Sequence, residues 1–117
     1  MRRAVVSEGW TASRADAVAV AAGDPLGHDG RRDDWDGHAW LWVRGPDGRE
    51  GWVPDVLVER HAAGWRARAA FDAAELTCAA GETLDVLSAT HGWSLCAAAD
   101  GRRGWVPDRV LATRGPA

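Results

Sequence analysis

The sequence contains an internal repeat, which constrains its fold more than any other feature. The block Asp47–Val58, DGREGWVPDVLV, returns 53 residues later as DGRRGWVPDRVL at Asp100–Leu111. Upstream, Ala17–Asp24 matches Glu75–Glu82 at an offset of 58 residues, so the first copy carries five extra residues around Gly30–Trp35. A repeat of this period indicates two related structural units in one chain.

The repeat also predicts β-structure where composition alone favours a helix. The Ala-rich stretch Arg66–Ala80 contains helix-forming residues. Its counterpart in the first copy, Ala17–Val20, alternates with the period of two that is typical of strands. Asp47–Gly48 and Asp100–Gly101 lie between apolar runs and predict two hairpin turns. Each unit is therefore expected to contain about five short strands, one of which ends at Pro54 because proline cannot donate to a ladder.

Length, charge and composition argue against several functional classes. The chain has 117 residues, enough for one ordinary domain or two small ones. No apolar run reaches the roughly 18 residues that a membrane-spanning helix needs. A net charge of −3 argues against nucleic acid as the main partner. All 14 basic residues are arginine, which suggests a GC-rich bacterial genome, and the early charge of Glu8 favours a cytoplasmic location.

The eight tryptophans are the feature of the composition that points to a function. Tryptophan combines a large apolar surface with one N–H donor, so it is favoured where a surface is half buried. Trp40 in the first copy matches Trp93 in the second, and we interpret this pair as binding anchors. Trp52 and Trp105 also match, with binding and barrel packing equally open. Trp42 shares the strand face of Trp40, and we expect it to pack between the units.

The ordered set of motifs resembles an SH3 domain. In the second copy the motifs are Ala67, Phe71–Asp72, Glu75–Cys78, Gly81–Glu82, Gly92–Trp93 and Gly104–Pro107. In the first copy they are Gly23–Asp24, Trp40 and Gly51–Pro54. The chain is similar to bacterial proteins of two tandem variant SH3 domains. The resemblance implies an all-β fold of two tandem SH3-like small β-barrels, at residues 1–59, with an acidic loop insertion, and 65–114.

The resemblance further implies a groove that accepts extended, proline-rich segments. Carried over by position, the groove residues are Phe71, Trp93, Trp105 and Pro107 in the second copy, and Trp40, Trp52 and Pro54 in the first. Ala69, Val110 and Leu57 stand where the family usually has tyrosine. A related but altered peptide specificity is therefore expected. Whether Trp10 supplies a missing aromatic ring is left open.

Acidic residues near the expected groove imply a basic ligand. SH3 domains use loop carboxylates to hold a ligand arginine or lysine through charge-assisted hydrogen bonds. Asp72 and Glu75 match that loop in the second copy. In the inserted stretch of the first copy, Asp33 and Asp34 precede Trp35, and an exposed tryptophan beside carboxylates suits ion pairing with cation–π contact. The alternative interpretation of the insertion is a solvated loop without a ligand.

These observations predict a non-catalytic module that binds extended, proline-containing basic peptides as a monomer or weak oligomer. No cofactor, metal, nucleic acid or membrane is expected as a partner, since the chain has no phosphate-binding loop and no metal-ligand spacing. Cys78 and Cys96 are interpreted as small buried apolar residues, with a bridge between them left open. Two alternatives remain: a scaffold whose Trp faces pack the barrels or a complex together, and a peptidoglycan-binding protein of the cell wall.

Overall fold

The computed structural model describes residues 2–13, 17–35 and 37–113 of the chain, with the backbone alone of Thr113. In this part of the chain the helical structure consists of two single 3-10 turns, Asp55–Leu57 and Asp108–Val110. The all-β fold predicted from the repeat is confirmed, and it is that of an SH3-like β-barrel. Within the Ala-rich stretch, strands rather than a helix form.

The strands are numbered in chain order. They are β1 (Arg2–Val6), β2 (Ala19–Val20), β3 (Pro25–Trp35), β4 (His38–Arg44), β5 (Glu50–Pro54), β6 (Val58–His61), β7 (Gly64–Ala67), β8 (Phe71–Asp72), β9 (Thr83–Thr90), β10 (Trp93–Ala97), β11 (Arg103–Pro107) and β12 (Leu111–Thr113). One five-stranded sheet has the order β11-β10-β9-β1-β12, and another has the order β5-β4-β3-β7-β6. Strands β2 and β8 pair with each other.

The residues group into two compact units that differ from the predicted domains. One unit combines Met1–Arg14 with Glu75–Ala117, and we call it the split unit. The other is the continuous stretch Ala15–Ala74, which we call the inserted unit. The predicted bounds, 1–59 and 65–114, follow the sequence repeat instead. The difference arises because the first strand of each sequence copy lies in the unit built mainly from the other copy.

The exchange of first strands has a local cause in the connection between β6 and β7. Residues 62–63 form a two-residue turn, so β6 and β7 pair as a hairpin with His61 opposite Gly64. A short loop closes at a lower entropic cost than a long one. Strand β7 therefore lies between β3 and β6, and β1 takes the equivalent place between β9 and β12. The stretch Glu59–Gly64, which the repeat alone suggests as a link between two domains, lies inside one sheet.

Each unit has its own apolar core. The core of the split unit consists of Ala4, Val6, Leu76, Cys78, Leu84, Val86, Cys96, Ala98, Val106 and Val110. The core of the inserted unit consists of Val18, Val20, Leu26, Val43, Val53, Leu57 and Ala67. Equivalent positions of the repeat recur in both cores, as with Val53 and Val106, which are both fully buried. Cys78 and Cys96 are free and buried, in agreement with their interpretation as small apolar residues.

The extra residues of the first copy extend a hairpin instead of forming a loop. Strands β3 and β4 stay paired as far as Trp35 opposite His38. The ladder register shifts between His28 and Arg32, and Gly30 has a positive φ of 91° within this irregularity. A bulge of this kind accommodates additional residues in one strand. The expectation of an acidic loop is therefore wrong, because these residues lie in a strand.

The predicted hairpin turns and strand ends are confirmed. Gly48 and Gly101 close equivalent turns with φ values of 88° and 93°, a conformation that glycine adopts without a steric penalty. Their amides donate to the carbonyls of Gly45 and Ala98, respectively. Strand β5 ends at Pro54, and the chain then enters a 3-10 turn. Trp40, Trp42 and Trp52 therefore lie on the β4–β5 hairpin, and Trp93 and Trp105 lie on the β10–β11 hairpin. Each hairpin has a glycine turn at one end and a proline at the other.

Candidate functional site

The outward face of β10 and β11 carries the aromatic residues of the split unit. Trp93 lies directly opposite Pro107, and Leu95 lies directly opposite Trp105. Residues directly opposite each other in an antiparallel ladder project from the same side, as do alternate residues of one strand. These four residues therefore form one continuous face. Pro107 is buried, whereas the two tryptophan rings are half-buried.

Trp10, which follows β1 in the chain, packs against this face. Its ring meets the ring of Trp93 edge-on, with the centroids 5.6 Å apart and the planes at 80°. The guanidinium carbon of Arg109 lies 5.4 Å from the centroid of the Trp10 ring, within the range of a cation–π contact. The sequence alone leaves the role of Trp10 open. The strand exchange, which places Trp10 in the unit of Trp93, could not be inferred from the repeat alone.

Glu75 is engaged within the split unit. Its Oε1 accepts a hydrogen bond from Trp10 Nε1 at 3.0 Å, and its Oε2 accepts one from the Ser13 hydroxyl at 2.6 Å. Its backbone forms a bridge with Trp105. The structure thus places this predicted ligand-binding carboxylate close to the aromatic face. Its hydrogen bonds orient Trp10 on that face.

The inserted unit carries an equivalent face on β3, β4 and β5. Asp33 lies opposite Trp40 on β4, and Trp40 lies opposite Pro54 on β5, so the three residues cross the sheet in one row. In the next row, Trp42 lies opposite Trp52, and their rings meet edge-on with the centroids 5.2 Å apart. Trp42 therefore shares the face of Trp40, as the sequence predicts, and its packing between the units stays a prediction.

Cationic and anionic groups border this second face. The guanidinium carbon of Arg31 lies 5.1 Å from the centroid of the Trp42 ring, and Glu50 accepts a hydrogen bond from Trp42 Nε1 at 3.3 Å. Trp35, opposite His38 near the end of the hairpin, is 37% exposed. The face therefore continues along β3 from Arg31 through Asp33 to Trp35, as the alternation of side chains in a strand requires.

Asp34 lies on the other side of β3 from Asp33. Its carboxylate pairs with Arg32 at 3.1 Å, and both side chains are more than half exposed. The sequence predicts a loop here, in which Asp33 and Asp34 form one acidic patch around Trp35. Because the stretch is a strand, successive residues project from opposite sides. The structure therefore associates Asp33, and not Asp34, with Trp40.

Phe71 and Asp72 belong to the inserted unit, whereas their expected partners Trp93 and Trp105 belong to the split unit. Phe71 pairs with Val20 across β2 and β8 and packs against the core of the inserted unit. Asp72 is exposed, and its carboxylate accepts a hydrogen bond from the amide of Ala74 at 2.9 Å. Because β7 leads the chain into the inserted unit, Phe71 and Trp93 belong to different units. Trp10 occupies the corresponding position beside Trp93.

The cysteines offer no activated nucleophile. Burial raises the pKa of the Cys96 thiol to about 11, with a further contribution from the nearby Cys78. Burial also raises the pKa of Cys78, and Glu82 adds to the effect. A thiol with a raised pKa is protonated and unreactive near neutral pH. Within residues 2–13, 17–35 and 37–113, no group of three or more His, Cys, Asp or Glu side chains is arranged to hold a metal ion.

Comparison with known proteins identifies one part of the chain. Residues 66–113 match the family model of the variant SH3 domain. Comparisons with curated proteins and with solved structures give no match. Among the residues that the structure describes, no helix is long and apolar enough to cross a bilayer. SH3-type domains are in general non-catalytic modules that bind protein or peptide ligands, and the chain contains an SH3-like domain.

Proposed function

We propose that the chain binds extended, proline-containing peptide segments of another protein, with one binding face on each unit. The observation that carries this proposal is the recurrence of a tryptophan directly opposite a proline, Trp93 with Pro107 and Trp40 with Pro54, at equivalent positions of two sheets. A buried proline beside a half-buried indole ring forms a rigid apolar surface. Such surfaces can bind polyproline segments, which are already extended before binding and so lose little conformational entropy.

The two faces differ in the charge that they offer to a ligand. On the inserted unit, Asp33 lies beside Trp40 in the same row, so a ligand arginine can meet a carboxylate and an aromatic ring together. On the split unit, the carboxylate of Glu75 already accepts hydrogen bonds from Trp10 and Ser13. We therefore propose that basic peptides prefer the inserted unit, whereas the split unit selects mainly for apolar and proline residues.

The proposal is tested by titrating the full chain with a peptide library containing arginine and proline, monitored by backbone and indole NMR signals. Trp40→Ala should abolish saturable shifts in the inserted unit, and Trp93→Ala should abolish those in the split unit. Loss of a side chain at the centre of an interface typically weakens binding by 2 kcal/mol or more, roughly 30-fold. Each variant serves as the control for the other, because the face on the second unit is left intact.

The acidic contribution has a matched control within one strand. Asp33→Ala should weaken the binding of an arginine-containing peptide, with little effect on the same peptide carrying alanine instead of arginine. Asp34→Ala removes an equal charge from the neighbouring position but from the opposite side of β3, and should leave the affinity within about twofold, since exposed charges contribute little at a distance. Equal losses in both variants would mean that net charge, not the Trp40 face, determines the preference.

The scaffold alternative makes a different prediction for the same variants. If the tryptophan faces serve only to stabilise the fold, Trp40→Ala and Trp93→Ala should unfold their units, and no peptide should perturb the unsubstituted chain. Dispersed amide signals in both variants, combined with loss of peptide shifts, support binding. Collapse of the signals together with an unresponsive parent chain contradicts it.

A further inference from the structure

The two ends of the inserted unit are joined within that unit. Strand β2, near its start, pairs with β8, near its end, with Ala19 opposite Asp72 and Val20 opposite Phe71. The amide of Ala73 also donates to the carbonyl of Val18 at 2.9 Å. When the inserted unit is folded, its first and last described residues are therefore held side by side, as in the two arms of a hairpin.

In the split unit, the residues that precede the inserted unit are hydrogen-bonded to the residues that follow it. Ser13 donates through its hydroxyl to Glu75, and the amide of Ala12 donates to Thr77 Oγ1 at 3.0 Å. Trp10 forms a reciprocal backbone bridge with Cys78. The chain thus leaves the split unit near Ser13 and returns to it at Glu75, after passing through all of the inserted unit.

From this nesting we propose that the folding of the two units is coupled through loop closure. When the inserted unit is folded, it holds Val18 beside Ala73 and presents the split unit with the equivalent of a short loop. When it is unfolded, the split unit must close a loop of about 60 residues to bring β1 beside β9 and β12. The entropic cost of closure grows with the logarithm of loop length.

The size of the effect follows from loop length alone. Replacing an effective loop of a few residues by one of about 60 lowers the folding constant of the split unit roughly 50-fold, by the three-halves power of the ratio. A coupling free energy is reciprocal, so the folded split unit stabilises the inserted unit by the same factor. Two domains joined end to end by a linker, as the repeat suggests, have no coupling free energy from loop closure.

The test uses the full chain and a matched pair of substitutions. Val53 and Val106 are equivalent in the repeat and fully buried in the two cores, so Val53→Asp should unfold the inserted unit and Val106→Asp the split unit. Amide hydrogen exchange then reports on the unit that was not substituted. We expect its slowest amides to exchange about 50-fold faster than in the parent chain, in both variants. An unchanged exchange rate in either variant, within twofold, overturns the proposal.

A crosslink distinguishes loop closure from other sources of coupling. Ala19 and Asp72 are cross-strand partners, whose spacing suits a disulfide. In a parent carrying Cys78→Val and Cys96→Val, the residues found at these positions of the first copy, we would add Ala19→Cys, Asp72→Cys and Val53→Asp. Oxidation keeps the loop closed although the inserted unit is unfolded.

The oxidised and reduced forms of this variant provide the decisive comparison. Loop closure predicts slow exchange in the split unit when the disulfide is formed. Exchange should be about 20-fold faster after reduction, because the disulfide leaves a loop of about nine residues in place of about 60. This comparison remains informative even if Val53→Asp alone unfolds the whole chain, since oxidation should then restore the split unit. Equal exchange in the oxidised and reduced forms overturns the proposal. The readout needs no ligand, so it is independent of the proposed peptide binding.

Discussion

Trp10 packs edge-on against Trp93 with the ring centroids 5.6 Å apart, although the inserted unit lies between them in the sequence. The contact exists because β1 is a strand of the sheet that contains β10. Its partner in the repeat, Phe71, is placed in the other unit for the same reason. Each aromatic face is thus associated with a first strand from the other copy of the repeat.

Trp10→Ala should perturb the split unit alone. The substitution removes an edge-to-face ring contact and the hydrogen bond to Glu75, and we expect a loss of about 1–2 kcal/mol in the stability of that unit. The indole signal of Trp93 should shift, and that of Trp40 should not. Phe71→Ala is the reciprocal control and should shift signals of the inserted unit only. An unchanged indole signal of Trp93 would contradict the observed contact between the two rings.

Gly51→Ala should destabilise the inserted unit. A Cβ atom at this buried position would lie 3.0 Å from Cγ1 of Val18, and overpacking of a core costs about 1–3 kcal/mol. Urea unfolding, followed by amide signals of β4 and β5, measures the loss. Val18→Ala removes the clashing methyl groups, so the double variant should lose less stability than the two single variants together. A strictly additive result would exclude the clash as the cause.

The stability of the split unit should fall between pH 9 and pH 11. An unfolded cysteine ionises near its ordinary pKa of 9.0, whereas burial raises the pKa of Cys96 to about 11. The contribution is therefore complete below pH 9 and is lost as the pH rises towards 11, by on the order of 2 kcal/mol. Chemical denaturation at pH 7.5 and at pH 10.5 measures the change. Cys96→Val should show a smaller pH dependence, and an unchanged profile would contradict the assignment.

Arg102→Ala should lower the unfolding midpoint of the split unit more than Arg49→Ala lowers that of the inserted unit. Both arginines pair with the aspartate two residues earlier, at 2.7 Å. Arg102 also donates to the carbonyl of Thr77 at 2.8 Å and to Glu82 at 3.0 Å, and these bonds connect the β10–β11 turn to the segment that precedes β9. Thermal unfolding at low and high salt measures the change of midpoint in each variant. Equal changes in the two variants would mean that the additional hydrogen bonds of Arg102 contribute nothing to stability.

Much of the local structure could be predicted from the repeat, and the strand exchange could not. The Asp-Gly turns, the strand end at Pro54 and the strands of the Ala-rich stretch follow from short-range preferences that both copies share. The exchange depends on which of two similar first strands pairs within a given sheet. Both strands bury small apolar residues, such as Ala4 and Ala67, so pattern alone does not separate the two arrangements. The two-residue turn before β7 decides between them.

The candidate site was predictable in its composition and less so in its grouping. The pairs Trp93 with Pro107 and Trp40 with Pro54 follow from motif positions, and the register aligns them. The placement of Asp33 and Asp34 on opposite sides required knowledge that the insertion is a strand. The engagement of Glu75 by Trp10 required knowledge of the exchange. Peptide binding at these faces stays a prediction.

The hairpin between β6 and β7 changes what proteolysis in the middle of this chain would do. For two domains in a row, a cut at the turn of residues 62–63 would release separate halves. Here the N-terminal fragment would keep β1 in the split unit, and the C-terminal fragment would keep β7 and β8 in the inserted unit. Each fragment would therefore supply strands to a unit formed mainly by the other fragment, and strand pairing in both units would keep a nicked chain assembled.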